Sequence, residues 1–212
     1  MNNGKITAVI GVRKGSERIV NKNIKPFNDT SLLENKIKIL KQVKNLDEIV
    51  VTTDCDKMFA LAEQLGVIAI TRPDYYTSND CPGSENLEFI ATQVDTDYIL
   101  YTPVTSPLVK SETYEDIINI FKNLDEEFDS VVSMNYIKDF LWENGEPLNY
   151  DPLDCPRSQD MNSIYRLNFG ACLLPRETMI KNKYVVGDKP FWYQLPENEG
   201  VDVDVPFDFN IA

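Results

Sequence analysis

Histidine is absent from this 212-residue chain. That removes Ser-His and Cys-His nucleophile pairs and every imidazole-ligated metal site, so carboxylates, lysines and arginines must carry any catalysis. Cys55, Cys81, Cys155 and Cys172 lie far apart with no Cys-x-x-Cys pair. Zinc and dithiol chemistry are disfavoured, and free structural thiols are expected. No apolar run approaches the roughly 20 residues that a membrane helix needs, and residues 1–8 hold no apolar stretch with a basic flank. A cytoplasmic protein with no membrane partner is expected. Positive charge is also scarce: 21 Lys and Arg face 34 Asp and Glu, for a formal net charge of -13. Such a chain repels nucleic-acid phosphates, so no nucleic-acid partner is expected, and any anionic ligand must meet a local basic cluster.

What is present is ordinary for a globular protein, with 42% apolar and 26% charged residues. The length suits one domain, 1–212, built around one site. Short apolar runs rich in β-branched residues predict strands at 5–11, 47–54, 67–70, 97–102, 129–134 and 170–174. Helical spacing predicts helices at 31–43, 56–65, 84–93 and 112–124, with a helical turn at 176–182. Ser31 is the expected N-cap of the first, with Glu34 completing a capping box, and Gly66 closes the second. Between 135 and 166 the periodicity weakens while Pro147, Pro152 and Pro156 accumulate, which predicts an excursion from the sheet. The alternation of strand and helix predicts an α/β fold with a mostly parallel sheet, its ligands at the carboxyl ends of the strands.

The loop after the first strand is the one concentration of positive charge: Arg13, Lys14, Arg18, Lys22 and Lys25, opposed by Glu17. Gly11, Gly15 and Ser16 allow backbone and hydroxyl to approach a polyphosphate, although neither G-x-x-x-x-G-K-[ST] nor G-x-G-x-x-G is present; a solvated surface loop is the plain alternative. Asp54, at the end of the second strand, reads as a loop cap. The hydroxyls of Thr102, Thr105 and Ser106 follow another strand and suit a polyol. The tract 200–209 reads as a strand, which would put Asp202 and Asp204 on one face. Two adjacent carboxylates repel, and a divalent cation, Mg²⁺ or Mn²⁺, is the economical remedy; a solvated edge is the alternative.

Residues 9–24, VIGVRKGSERIVNKNI, resemble the signature I-P-A-R-x-G-S-K-R-x-P-x-K-N of the acylneuraminate cytidylyltransferases, the CMP-sialic acid synthetase-like family. Gly11, Glu17 and Val20 depart from it. The resemblance continues through V-V-T-T-D at 50–54, T-R-P-D-Y-Y-T-S-N-D at 71–80, T-S-P-L at 105–108, P-R-S-Q-D at 156–160, Y-R-L-N-F-G-A at 165–171 and D-V-D at 202–204. It implies a three-layer α/β/α Rossmann-like nucleotidyltransferase fold of the glycosyltransferase-A-like kind. It further implies a homodimer whose dimerisation arm and sugar-site excursion lie at 135–169. Arg13 and Lys22 would hold and polarise the CTP phosphates, with Gly15, Ser16 and Asn23 alongside, and Arg72, Cys81 and Ser84 would lie near the base. Thr102, Thr105, Ser106, Arg157, Arg166 and Asn168 would frame the sugar, with Arg166 or Arg157 on its carboxylate. Asp202 and Asp204 would hold Mg²⁺, with Mn²⁺ the substitute. The implied reaction transfers CMP from CTP to the anomeric hydroxyl of a sialic-acid-like acid of the N-acetylneuraminate, legionaminate, pseudaminate or KDN class. Pro103 stands where the sialic acid enzymes have a glutamine, and Phe169 interrupts their Asn-Gly. Those two departures leave Kdo, another ulosonic acid or a phosphonate as acceptors. A non-catalytic nucleotide-binding module is the remaining alternative, against which the joint presence of Arg13, Lys22, Asp202 and Asp204 argues.

Overall fold

The computed structural model describes residues 4–16, 18–161 and 164–212, so Glu17 lies outside the described residues. Strand β1, Ile6–Gly11, is buried from Ile6 to Ile10 without alternation, as befits a central parallel strand covered on both faces. A 3-10 turn, Lys22–Ile24, and a two-residue ladder, β2 Pro26–Phe27 with β3 Thr30–Ser31, lead into α1, Leu32–Leu40. The chain then alternates β4 Glu48–Thr53, α2 Asp56–Gln64, β5 Ile68–Thr71, α3 Gly83–Thr92, β6 Tyr98–Tyr101, α4 Ser111–Lys122 and β7 Ser130–Ile137. A small hairpin, β8 Trp142–Glu143 with β9 Glu146–Pro147, precedes β10 Ile164–Pro175, α5 Arg176–Asn182, β11 Pro190–Gln194 and α6 Pro206–Ile211. No helix of the described residues is long and apolar enough to cross a membrane.

Seven strands form one sheet in the order β11-β7-β10-β6-β1-β4-β5. Neighbours are parallel except for β10, which runs antiparallel to both β6 and β7. Alternate strand residues feed two cores. Ile6, Ala8 and Ile10 face one that contains Leu33 and Ile37 of α1, Met58 of α2 and Ile117 of α4. Val9, Val50 and Ile99 face the other, with Ile90 of α3 and Met179 of α5. The result is the expected three-layer α/β/α sandwich. From β1 the chain builds outward through β4 and β5, then crosses back to place β6 on the opposite flank of β1. That reversal opens a crevice above the carboxyl ends of β1 and β6.

Three expectations require correction. First, β7 continues to Ile137 and β10 begins at Ile164, so the two ends of the expected excursion are sheet, including Arg166 and Asn168. The polar Ser133 and Asn135 mask the strand pattern, because they are buried with partners: Asn135 donates to Leu195 O at 2.9 Å, and Ser133 donates to Asn168 Oδ1 at 2.6 Å. Second, residues 201–204 are outside the sheet, and α6 begins at Pro206, a residue suited to the first helical position. Third, β11 (PFWYQ) is an additional edge strand; its proline sits at the strand start, where no ladder donor is needed. Phe169 falls in an irregularity between Leu167 and Cys172 of β10, with φ +52°, so the residue that interrupts Asn-Gly is accommodated as part of a bulge.

Candidate active site

Above β1 and β6, the basic loop, the segment 103–105 and Asp204 enclose a cleft. Lys22 reaches it from the 3-10 turn. Its ammonium donates to Val203 O at 2.8 Å and lies 3.7 Å from the Asp204 carboxylate, with the side chain only 12% exposed. Burial lowers the Lys22 pKa, while Asp204 and Asp202 act in the opposite sense. Arg18 donates to Asp204 Oδ1 at 3.1 Å. The buried Asn23 amide donates to Arg13 O at 3.0 Å, and Asp54 accepts from the Lys14 N–H at 2.8 Å, so the loop is held from both sides and Asp54 does cap it. Gly15 takes φ +79°, the left-handed conformation that favours glycine. Ser16 lines the cleft.

Asp202 and Asp204 come together by a route other than the expected strand. They flank Val203, a buried residue whose N–H donates to Thr105 O at 2.7 Å and whose carbonyl accepts from Lys22. Asp202 Oδ1 is buried with no hydrogen-bond partner. Burial is the leading cause of its raised pKa; the Thr105 hydroxyl, Lys22 and Arg166 oppose the shift. An unpaired carboxylate oxygen at this depth calls for a cation or a donor. Among the described residues no group of three or more acidic or cysteine side chains is arranged around a metal position.

A second pocket adjoins the first and shares Gly11 and Arg13 with it. Arg13 donates to Thr77 O at 2.6 Å and Asn79 Oδ1 at 3.0 Å. Arg72 is buried: its guanidinium donates to Val12 O at 2.6 Å and Asn86 Oδ1 at 2.9 Å, and burial lowers its pKa. Its Nε and the Thr52 hydroxyl have no partner. Both are near Gly11, where an added Cβ would stand 3.3 Å from Ile90 and 3.5 Å from Arg72. Arg72, Asn79 and Asn86 line the pocket and give it a polar wall, with the buried Thr52 hydroxyl behind it. Cys81 and Tyr101 line this pocket; Ser84 sits exposed in the first turn of α3 and does not.

On the other flank Thr105 lines the cleft, whereas Thr102 and Ser106 are buried beneath it, with the Ser106 hydroxyl unpartnered. Arg166 donates to Gly200 O at 3.0 Å and stands close enough to Asp202 to lower its pKa. Asn168 is fully committed to the fold: its oxygen accepts from Ser133 and from the Gly170 N–H, and its nitrogen donates to Asn135 Oδ1 at 2.7 Å. Arg157 is exposed on the excursion and paired with Asp160 at 2.8 Å, apart from the residues that line the cleft. Sequence reasoning missed Lys36, which is entirely buried and donates to Ser106 O at 2.7 Å and Tyr114 Oη at 2.6 Å. Its signal was positional: 36 falls on the same helical stripe as Leu32, Leu33, Ile37 and Leu40.

A family model described as cytidylyltransferase matches residues 7–174. The chain belongs to the cytidylyltransferase family. It is 26% identical, over 98% of its own length and 51% of the other's, to an N-acylneuraminate cytidylyltransferase of Escherichia coli O18:K1:H7. It is 28% identical to a CMP-N,N'-diacetyllegionaminic acid synthase of Legionella pneumophila, over 98% of this chain and 94% of that one. The chain spans about half the length of several curated relatives it matches. Among solved structures, a CMP:2-keto-3-deoxy-manno-octonic acid synthetase complexed with CTP superposes with a TM-score of 0.69 at 15% identity, covering 98% of this chain and 96% of that one. That likeness concerns the fold.

Proposed function

We propose that this chain is a CTP-dependent enzyme that transfers CMP to the anomeric hydroxyl of a sialic-acid-like nonulosonic acid and releases pyrophosphate. The observation that carries the proposal is the cluster at Val203: Lys22, Arg18 and Asp204 converge on one cleft, with Asp202 beside them, and that cleft adjoins a second, polar pocket lined by Arg13, Arg72 and Asn79. Nucleotidyl transfer depends mainly on positioning and charge neutralisation, and these groups serve both ends. Lys22 and Arg18 neutralise the polyphosphate, Arg13 stands between phosphate and base, and the pocket lined by Arg72, Cys81 and Tyr101 takes the cytosine. Asp202 and Asp204 suit a hard divalent cation, because one buried oxygen of the pair lacks any partner. Mg²⁺, with Mn²⁺ as substitute, would be held there and would neutralise charge on the reacting phosphate. Thr105 and Arg166 border the position of the acceptor, and Arg166 suits its carboxylate.

Four free thiols suit a reducing compartment and support a cytoplasmic location. Exposed Trp142, Leu148 and Leu153 on the excursion, the last 97% exposed, support an arm that covers a second copy. The relatives named for acylneuraminate and legionaminate favour a nine-carbon acid. Pro103 and the Phe169 bulge favour an acceptor that differs from N-acetylneuraminate. Pyrophosphate release from CTP with Mg²⁺ is the test, across N-acetylneuraminate, legionaminate, pseudaminate, KDN and Kdo. Release with a nine-carbon acid and not with Kdo supports the proposal; release with Kdo alone reassigns the acceptor; CTP binding without release from any of them contradicts it.

A further inference from the structure

The proposed mechanism leaves Lys36 unused, yet a lysine with no exposed surface and no carboxylate partner in hydrogen-bond reach needs a reason. Its ammonium donates to Ser106 O at 2.7 Å and to Tyr114 Oη at 2.6 Å, and the Tyr114 hydroxyl in turn donates to Gly170 O at 3.1 Å. The neighbouring Asn35 donates to Pro107 O at 3.1 Å. Helix α1 thus holds two consecutive carbonyls of the segment that carries Thr105, and through Tyr114 the same ammonium is tied to the β10 bulge beside Asn168. These are two separate walls of the acceptor side. Burial pushes the Lys36 pKa down to about 7, and the ring of Tyr114 lies 5.1 Å from its nitrogen, so the carbonyl, the hydroxyl and the ring are what compensate it.

We propose that Lys36 is a positioning residue that sets the 103–107 segment against the β10 bulge and so fixes acceptor binding without touching the nucleotide. The acceptor half of this proposal rests on the function proposed above. Lys36→Met is compared with the unaltered chain in two readouts. Amide hydrogen exchange needs no acceptor: residues 103–108 are expected to exchange faster by about tenfold, the scale of a buried hydrogen bond lost, while β1 and β4 are unchanged. In the pyrophosphate assay the acceptor KM is expected to rise by about tenfold with the CTP KM within about twofold. Unchanged exchange at 103–108 overturns the proposal, and so does a rise of both KM values together. Should Lys36→Met fail to fold, Tyr114→Phe removes the hydroxyl that accepts from Lys36 and donates to Gly170 O while leaving the Lys36 bond to Ser106 O, and is expected to give the same split in smaller measure; equal effects on both substrates overturn the proposal there too. A wild-type chain inert toward every sugar acid sinks the proposed function, while the exchange result still decides whether Lys36 sets the loop.

Discussion

Lys22 is the most constrained cation of the cleft, held between the Val203 carbonyl and the Asp204 carboxylate and largely out of solvent. Lys22→Ala takes charge from the proposed polyphosphate position and a bond from Val203 O without opening the apolar core, so it should lower kcat by about 10²- to 10³-fold, as loss of a preorganised charge-stabilising group does, while unfolding free energy falls by no more than about 1–3 kcal/mol. Steady-state kinetics and calorimetry check both parts. Asp204→Asn removes one charge of the pair and releases Arg18; loss of Mg²⁺ dependence together with activity is expected, and an unaltered metal titration would contradict the assignment. Lys36 makes a separate prediction about stability. Its folded pKa of about 7 lies below the ordinary lysine value of 10.5. Between those values the unfolded chain binds the extra proton, so this group makes stability rise with pH across that window and adds no slope below it. The difference in unfolding free energy between Lys36→Met and wild type should therefore depend on pH from about 7 to 10.5; a constant difference would show that Lys36 does not titrate there. At this scale the sequence was informative about Arg13, Lys22 and Asp204, because their types and order are chemical. It was silent about Lys36, since a lysine on an apolar stripe looks like any other lysine until its partners are known.

The helices and strands before residue 134 were legible because each is a local pattern with its own stop signal. Ser31 caps α1 as expected, accepting from the Glu34 N–H at 3.2 Å, while the Glu34 carboxylate pairs with Lys38. Beyond that point the elements depend on distant partners. Strands β7 and β10 carry buried asparagines that only a cross-strand network can satisfy, and the tail 200–204 lies against them so closely that a Cβ at Gly200 would collide with the Asn135 amide. The tail is anchored at its start by Glu199, almost fully buried, which accepts from the Thr113 hydroxyl at 2.7 Å and the Lys110 N–H at 3.2 Å at the head of α4. A carboxylate there also complements the positive end of the helix. Glu199→Ala should therefore cost about 1–3 kcal/mol, the range for leaving buried donors unsatisfied, and should raise the Mg²⁺ concentration needed for activity because Asp202 lies three residues on. Chemical denaturation and a metal titration check the two effects; a destabilised variant with an unchanged Mg²⁺ requirement would separate the anchor from the site.

For the whole molecule, the basic cleft is an exception within a strongly acidic chain. Such a field does little to attract CTP from a distance, so affinity must come from short contacts in the cleft. Exposed apolar side chains occur on the excursion, Trp142 and Leu153 among them, and on the sheet, where the exposed rings of Tyr165 and Trp192 stack at 6.1 Å. With the arm in its proposed role of covering a second copy, wild type is expected to sediment as a dimer and Leu153→Asp as a monomer in sedimentation velocity, and a monomeric wild type would remove the arm from that role. The central claim is cytidylyl transfer through the Lys22 and Asp204 cleft. It is tested most directly by following CTP labelled at its α-phosphate, with Mg²⁺ and the panel of sugar acids, for wild type and Lys22→Ala side by side. The account predicts label in a CMP-sugar with wild type and a loss of about 10²-fold or more with the variant; label that stays in CTP with every acid, or transfer undiminished in the variant, would contradict it.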